Sequence, residues 1–438
     1  MTRLRPRLER YFEFEALGTN WKTEILAGFT TFLTMAYIVV VNPSILADAG
    51  MPFEGVVAAT CLSAAAGSLL MGAVARYPIA LAPGMGLNAY FTYSVVKGMG
   101  VAWQTALGAV FLSGAAFWLL TLGGIRQRIL AAVPRQLYSA VAAGVGLFIA
   151  LIGLRNAGIV VPSAATMVAL GNLGDPQTVL ALVGLLLIAA LLAWQVRGAM
   201  LLGIGAITVV GMLTGVTSWQ PRTYSLSALS STAGQLDIGA ALHLGAAEII
   251  FVFLFVDLFD NLGTLVAVGT KARLFGPDRE IPRLGRIFFA DASATVIGSL
   301  AGTSTVVSYI ESAAGVAAGG RSGVTAIVAG LLFLVVMPVA PLAGAIPAAA
   351  TAPALIVVGS FMMAAVAEVE WDDPVTAFSA FLTIVMIPLS FSIANGLAFG
   401  FSAYTLLRVA RGEYREVHWF LYLMTALFLV RFAYLGAG

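Results

Sequence analysis

The chain has 438 residues, 60% of them hydrophobic and only 10% charged, with a mean hydropathy of +0.97 and a net charge of +2. A soluble domain carries about 25% charged residues, so this composition excludes an ordinary soluble protein and points to an all-α polytopic membrane protein. The single cysteine, Cys61, excludes an intramolecular disulfide, and the two histidines, His243 and His418, lack metal-ligand spacing, so neither metal nor organic cofactor is expected.

In chain order, a charged stretch (Arg3, Arg5, Arg7, Arg10, Glu13, Glu15) precedes the first apolar run. No small-residue cleavage site follows, so that run reads as a retained span and not a signal peptide. A span needs about 20 apolar residues, fewer where a helix is broken and buried in protein. Segments are expected at about 25–46, 54–75, 80–98, 102–123, 137–155, 177–196 and 199–217. A polar break, 218–245, follows. Seven more segments come at about 246–269, 287–300, 302–319, 323–343, 353–367, 375–391 and 394–410, which makes fourteen. A last apolar run, 418–436, carries Arg431; whether it spans stays open.

With the N-terminus inside, this layout assigns nineteen basic residues to the inner side and three (Lys97, Arg155, Arg222) to the outer, leaving only Arg431 of the 23. That is the positive-inside bias of an inner (plasma) membrane protein with a cytoplasmic N-terminus. No basic helix interleaved with aromatics is present, and no nucleic-acid partner is expected.

Seven is odd, so two tandem halves would enter the bilayer in opposite orientation. Inverted repeats of this kind mark secondary transporters. "TEILAGFTTF" opens the first segment and "AEIIFVFLFV" the eighth, while "TCLSAAAGSLL" in the second matches "DASATVIGSLA" in the ninth, with Gly67 over Gly298. The third and tenth segments are broken alike. "RYPIALAPGMGLNAYF" and "LAGTSTVVSYIESAAGVAAGG" each run from a β-compatible stretch into a half-helix. Corresponding broken segments in two halves point to a midplane binding site.

Asp257 and Asp260, in "FVFLFVDLFDNLGTL", stand i and i+3 on one helical face that Thr264 continues. Gly263 would let another backbone approach. The bland reading of the acids is a buried pair satisfied by hydroxyls or amides. Intramembrane acids default to a functional one, and two so close do not both stay ionised cheaply, which suits a proton-coupled carrier. Glu311 sits where the tenth segment turns from extended to helical; a mid-membrane glutamate is costly for capping alone, which favours a ligand role. Asn88 takes the equivalent place in the third segment, with capping or helix–helix bonding as the competing reading. Tyr309 is a stacking candidate beside Glu311, and Ser304 and Thr305 on the same extended piece are candidate substrate contacts. Asp291 reads equally as a structural or a coupling acid. Glu24 and Asp48 lie near predicted ends, and "EVEWDDP" (Glu368, Glu370, Asp372, Asp373) reads as a solvated turn.

These stretches, with "GTNWKTEILAGFTTFLTMAYIVVVNPSIL" and "APGMGLNAYFTYSVV", resemble the nucleobase–cation symporter-2 superfamily, and more narrowly its adenine/guanine/hypoxanthine permease branch, over nearly the whole chain. The resemblance implies a core domain (1–136 and 246–343), a gate domain (137–217 and 344–410), a linker (218–245) and a C-terminal segment (411–438). Purine would lie between core and gate beside short strands in segments three and ten, and the gate would be moved past by the core, elevator-like. It implies that Asp257 and Glu311 contact the purine, that Asn88 lines the site, that Asp260 serves coupling, and that the protein forms a homodimer. The branch's eighth segment more often reads "DLFDTxGTL"; here Asn261 replaces that threonine. Uracil and xanthine carriers carry "E-x-x-G-H-L" where this chain has "DNLGTL".

Three function classes compete. Proton-coupled purine import explains repeats, breaks and acids together. The alternatives within the same fold are another nucleobase (uracil or xanthine) carrier or an anion (sulfate- or bicarbonate-like) carrier. The acids on segments eight and ten argue against the latter, which would want a positive or neutral site. An intramembrane aspartyl protease needs acids on different helices, whereas Asp257 and Asp260 share one, and its "GxGD" motif is absent, so no enzyme is expected.

Overall fold

The computed structural model describes residues 4–123, 132–217, 226–243, 247–272, 281–338 and 346–435. Two short helices, α1 (Leu4–Tyr11) and α2 (Phe14–Leu17), precede the first segment, which is built from α3 (Trp21–Met35) and α4 (Ile38–Ala47). α5 (Phe53–Leu70) runs into a π-helical turn, Met71–Ala75. Strand β1 (Leu81–Pro83) leads to α6 (Met85–Ala89) and a π-helical stretch, Tyr90–Gly98. Then come α7 (Trp103–Leu122), α8 (Arg135–Asn156), strands β2 (Val160–Ser163) and β3 (Met167–Leu170), α9 (Pro176–Ala193), α10 (Ala199–Leu213) and α11 (Ile238–His243).

The second half repeats the plan with α12 (Ala247–Ala272), α13 (Leu284–Ala301), β4 (Val306–Ser308), α14 (Ser312–Ala317) and α15 (Gly323–Val336). It closes with α16 (Ala348–Met362), α17 (Pro374–Leu389), α18 (Ile393–Ala410) and α19 (Trp419–Leu435). Within the described residues each predicted segment overlaps one or more of these elements; residue 246 of the eighth and residues 339–343 of the eleventh lie outside them. Among the described residues, seven helices are long and apolar enough to cross a membrane by length and composition. The chain is thus a mostly helical, multi-pass membrane protein. Two features were not foreseen: the N-terminal pair α1–α2, and the β2–β3 hairpin, which pairs antiparallel from Val160↔Leu170 to Ser163↔Met167.

The chain divides into two compact units. One comprises Met1–Leu119 with Leu154–Ala354, the other Leu120–Gly153 with Leu355–Gly438. In the second unit α17 packs along α18 and α18 along α19. "EVEWDDP" does more there than a solvated turn would. Asp373 caps α17 by accepting from the Thr376 N–H at 3.2 Å and its hydroxyl at 2.7 Å, and it pairs with Arg408 at 3.0 Å and Arg411 at 2.7 Å. Glu368 pairs with Arg135 at 2.6 Å.

The first unit holds both broken segments, and their strands pair: Leu81↔Ser308, Ala82↔Val307, Pro83↔Val306. In a bilayer every backbone polar group must be satisfied internally, and a two-stranded ribbon leaves two bare edges. Hydroxyls from the flanking helices close both. Ser68 Oγ on α5 accepts from the Leu81 N–H (2.9 Å) and donates to the Leu81 carbonyl (3.1 Å). Thr295 Oγ1 on α13 does the same for Val306, at 3.2 and 3.0 Å. The matched glycines of the repeat now have a reason. A Cβ on Gly67 would lie 3.0 Å from Leu81 Cβ, and one on Gly298 2.7 Å from Val306 Cγ2, so each strand rides directly over its glycine.

Candidate functional site

The turn from β4 to α14 sets the site. Ser312 Oγ receives the Ala80 N–H at 3.0 Å, and the Tyr309 N–H reaches the Ala80 carbonyl at 3.0 Å, which pins the end of the strand. The chain then turns at Ile310 and becomes helical at Ser312, with Glu311 in the N-cap position. Glu311 makes no side-chain cap bond. Its carboxylate instead accepts from the Tyr37 hydroxyl, at 2.5 Å, across from the first segment. Thr34 Oγ1 donates to the Glu311 carbonyl at 3.3 Å. Glu311 thus stands at the N-terminus of α14 with its carboxylate held from the first segment.

The helix α12 packs against α14, β4 and α6. Phe253 on it meets Tyr90, ring centroids 5.2 Å apart, which fixes the side turned to the third segment. Asp260 is half-buried and lies within electrostatic range of Glu311, Asp291 and Tyr309. Asp291 is fully buried on α13, and Asp257 is only 2% exposed. The structure thus gathers Asp260, Asp291, Glu311 and Tyr309 around one charge cluster. Among the described residues no group of three or more His, Cys, Asp or Glu side chains is arranged to hold a metal ion.

Tyr309 is not a free stacking surface at its tip: its hydroxyl donates to the Pro83 carbonyl at 2.5 Å. Asn88 has both amide ends engaged. Its Nδ2 donates to Asn42 Oδ1 at 2.5 Å, and its Oδ1 accepts from the Ser304 hydroxyl. Asn42 donates onward to Thr60 Oγ1 (2.7 Å) and Thr303 Oγ1 (2.9 Å). All five side chains are fully buried, so this network binds segments one, two, three and ten together. Thr264 is 7% exposed, on the face shared with Asp257 and Asp260. Thr305 Oγ1 is buried without a hydrogen-bond partner among the described residues.

Gly263 departs from expectation. Among the described residues no backbone approaches it: a Cβ built there would meet none of them within 4 Å, and the residue is exposed.

Sequence reasoning missed Tyr37 and Asn42, single polar groups in an otherwise apolar first segment. Ile310, 47% exposed beside Glu311, was missed as well. Glu24 was placed merely near a helix end. It is fully buried and accepts from the Thr19 hydroxyl (2.7 Å), the Arg321 and Ser322 N–H groups (2.9 and 3.2 Å) and the Thr325 hydroxyl (2.6 Å), clamping α3 to the start of α15.

Residues 22–399 match the family model described as Permease family, the xanthine/uracil permease type. A putative permease of Methanocaldococcus jannaschii is 51% identical over 430 residues, 98% of this chain and 99% of that protein. The adenine permease AdeP of Escherichia coli is 41% identical over 98% of this chain and 97% of its own length. The guanine/hypoxanthine permease PbuG of Bacillus subtilis is 43% identical over 98% of this chain and 100% of its length. Among solved structures, the transmembrane domain of a cyanobacterial bicarbonate transporter, BicA, aligns with a TM-score of 0.65 at 17% identity, over 86% of this chain and 97% of that one. The murine anion transporter Slc26a9 in its inward-facing state aligns at 0.66 and 12%, over 90% and 69%. These two likenesses establish the shared fold and nothing finer.

Proposed function

The chain belongs to the nucleobase–cation symporter-2 family of permeases, and on that premise we propose that it imports purine nucleobases (guanine, hypoxanthine and adenine) across the plasma membrane by proton symport. The observation that carries this reading is Glu311: a carboxylate at the break of a membrane segment, aimed by Tyr37 and not spent on capping, with Asp260 within electrostatic range. A purine presents ring N–H groups, in guanine and adenine with an exocyclic amine, and an ionised carboxylate accepts from such donors. The near-full-length similarity to adenine and guanine/hypoxanthine permeases supports the same substrate class.

Burial redistributes the roles. Asp260 and Glu311 are half-buried and Asp257 is closed in, so in this reading Asp260 and Glu311 face the base while Asp257 supports the site from behind. Three carboxylates sharing one field are costly to keep all ionised. A proton that joins and leaves the cluster, through Asp260 with Asp291, supplies the differential affinity by which a bound ion shifts a two-state carrier. Movement of the core past the gate, a cytoplasmic N-terminus and a homodimer complete the proposal.

The test is uptake of radiolabelled hypoxanthine, guanine and adenine by proteoliposomes under an imposed pH gradient, beside equilibrium binding in detergent. Wild-type protein should accumulate base uphill. Asp260→Asn should still exchange base but fail to accumulate it, and Glu311→Gln should lose binding. Uphill accumulation by Asp260→Asn at the wild-type level would remove Asp260 from coupling.

A further inference from the structure

Val256, Phe259, Asp260 and Gly263 follow one another at i, i+3, i+4 and i+7, a single stripe along α12. The stripe opens as it climbs: Val256 and Phe259 are each 4% exposed, Asp260 is half-buried, and Gly263 is exposed with open space beyond it. Gly205 and Gly285 of this unit are equally open, but neither has a carboxylate three or four residues away, and the glycines at packed contacts are filled. A Cβ on Gly315 would strike Thr31, and one on Gly323 the Gly72 carbonyl. Among the described residues no packing contact requires glycine at 263, and a glycine inside a helix is destabilising relative to alanine. Lipid does not explain the opening, because a carboxylate shares the stripe one turn away and is costly against hydrocarbon. The rise from Asp260 to Gly263 is about 4.5 Å, within the length of a fused-ring base.

We propose that Gly263 is a specificity-determining residue: its missing side chain leaves the flat recess in which the face of the nucleobase lies while its N–H edge meets Asp260 and Glu311. This rests on the purine-transport reading and deepens it. A flat heterocycle needs a surface without a protruding methyl, and a helix supplies one only at glycine. A methyl group that a pocket was not shaped to hold changes affinity about tenfold or more.

The experiment compares wild type with Gly263→Ala and Gly263→Val for thermal stability, hypoxanthine affinity in detergent, and transport kinetics in proteoliposomes. The expected result is an unchanged or raised melting temperature, because the added atoms meet open space and helix propensity improves. Affinity should fall about tenfold for alanine and further for valine, and in transport the alanine variant should show a raised KM with its maximal rate retained. Wild-type affinity in the valine variant would overturn the proposal, as would a lowered melting temperature in the alanine variant. A fall in maximal rate with affinity and KM unchanged would also overturn it, because that marks a moving contact and not a base site. Wild-type protein that binds no purine would defeat the transport reading itself, a failure distinct from that of Gly263.

Discussion

Replacing Asn42 tests whether the buried network has a fixed direction. The Thr60 hydroxyl donates to the Val56 carbonyl at 2.6 Å, and a carbonyl only accepts, so Thr60 has no hydrogen left for Asn42. Asn42 must therefore turn its NH2 toward Thr60 and Thr303 and its oxygen toward Asn88. Asn88 must in turn show its NH2 to Asn42 and its oxygen to Ser304. One backbone carbonyl thus dictates the orientation of two amides. Asn42→Leu removes two donors and one acceptor at once and leaves the Asn88 N–H and the Thr303 oxygen buried without those partners. At about 1–3 kcal/mol for each of the two orphaned groups, the expected loss is about 2–6 kcal/mol. Asn42→Asp in its neutral form offers one donor and one acceptor, so it keeps the Asn88 bond and sacrifices one hydroxyl contact, for about 1 kcal/mol. Denaturant or thermal unfolding of the two purified variants in one detergent measures both. Equal losses in the two, or a leucine variant as stable as wild type, would refute the directional network.

Two further predictions concern groups outside that network. Asn261 is fully buried, and neither amide atom has a hydrogen-bond partner among the described residues, so Asn261→Leu should stabilise the substrate-free protein by about 1–3 kcal/mol; a lowered melting temperature would show that the amide is satisfied after all. At the start of α17, the Thr376 hydroxyl and N–H, with Arg411 and Arg408, hold the Asp373 carboxyl down at about 2. The sign follows: a depressed native value contributes stability above the unfolded value of about 3.9, lost as pH falls toward 2. The stability difference between wild type and Asp373→Asn should therefore be full at pH 5 and shrink toward pH 2, and a difference independent of pH over that range would contradict it.

How much of this was legible follows from what pattern alone encodes. The broken segments were, because β-branched "STVVSYI" and proline-broken "IALAP" interrupt helical composition, and the structure pairs those stretches as strands. Gly67 and Gly298 were legible as a repeat because both perform the same service under a strand. Gly263 was legible only as a glycine. A close contact and an open recess demand the same missing side chain, and nothing local in sequence separates them. Asn42 and Tyr37 were invisible for another reason: one polar atom in an apolar run becomes informative only when its partner, here 46 and 274 positions away, is known. The β2–β3 hairpin was passed over because "VVPSAATMVAL" is apolar enough to read as a loop between two spans.

The fold is shared with a bicarbonate transporter and an anion transporter, so the scaffold does not choose the substrate. On the proposed reading, the charge placed at its break does. In carriers built on broken helices, a half-helix presents the positive end of its dipole to an anionic substrate group. Here Glu311 occupies that end of α14, with Asp260 within electrostatic range. On this reading the protein's own carboxylate fills the place an anion would take, and a second anion brought there meets like charge. A neutral heterocycle whose edge carries N–H groups meets acceptors instead. On the proposed reading, the same two acids that repel an anion also make the proton necessary, because a site of acceptors alone changes its affinity most simply by gaining or losing one hydrogen. Substrate choice and coupling then share one cause, the carboxylate pair, with Glu311→Gln expected to cost binding and Asp260→Asn to cost accumulation.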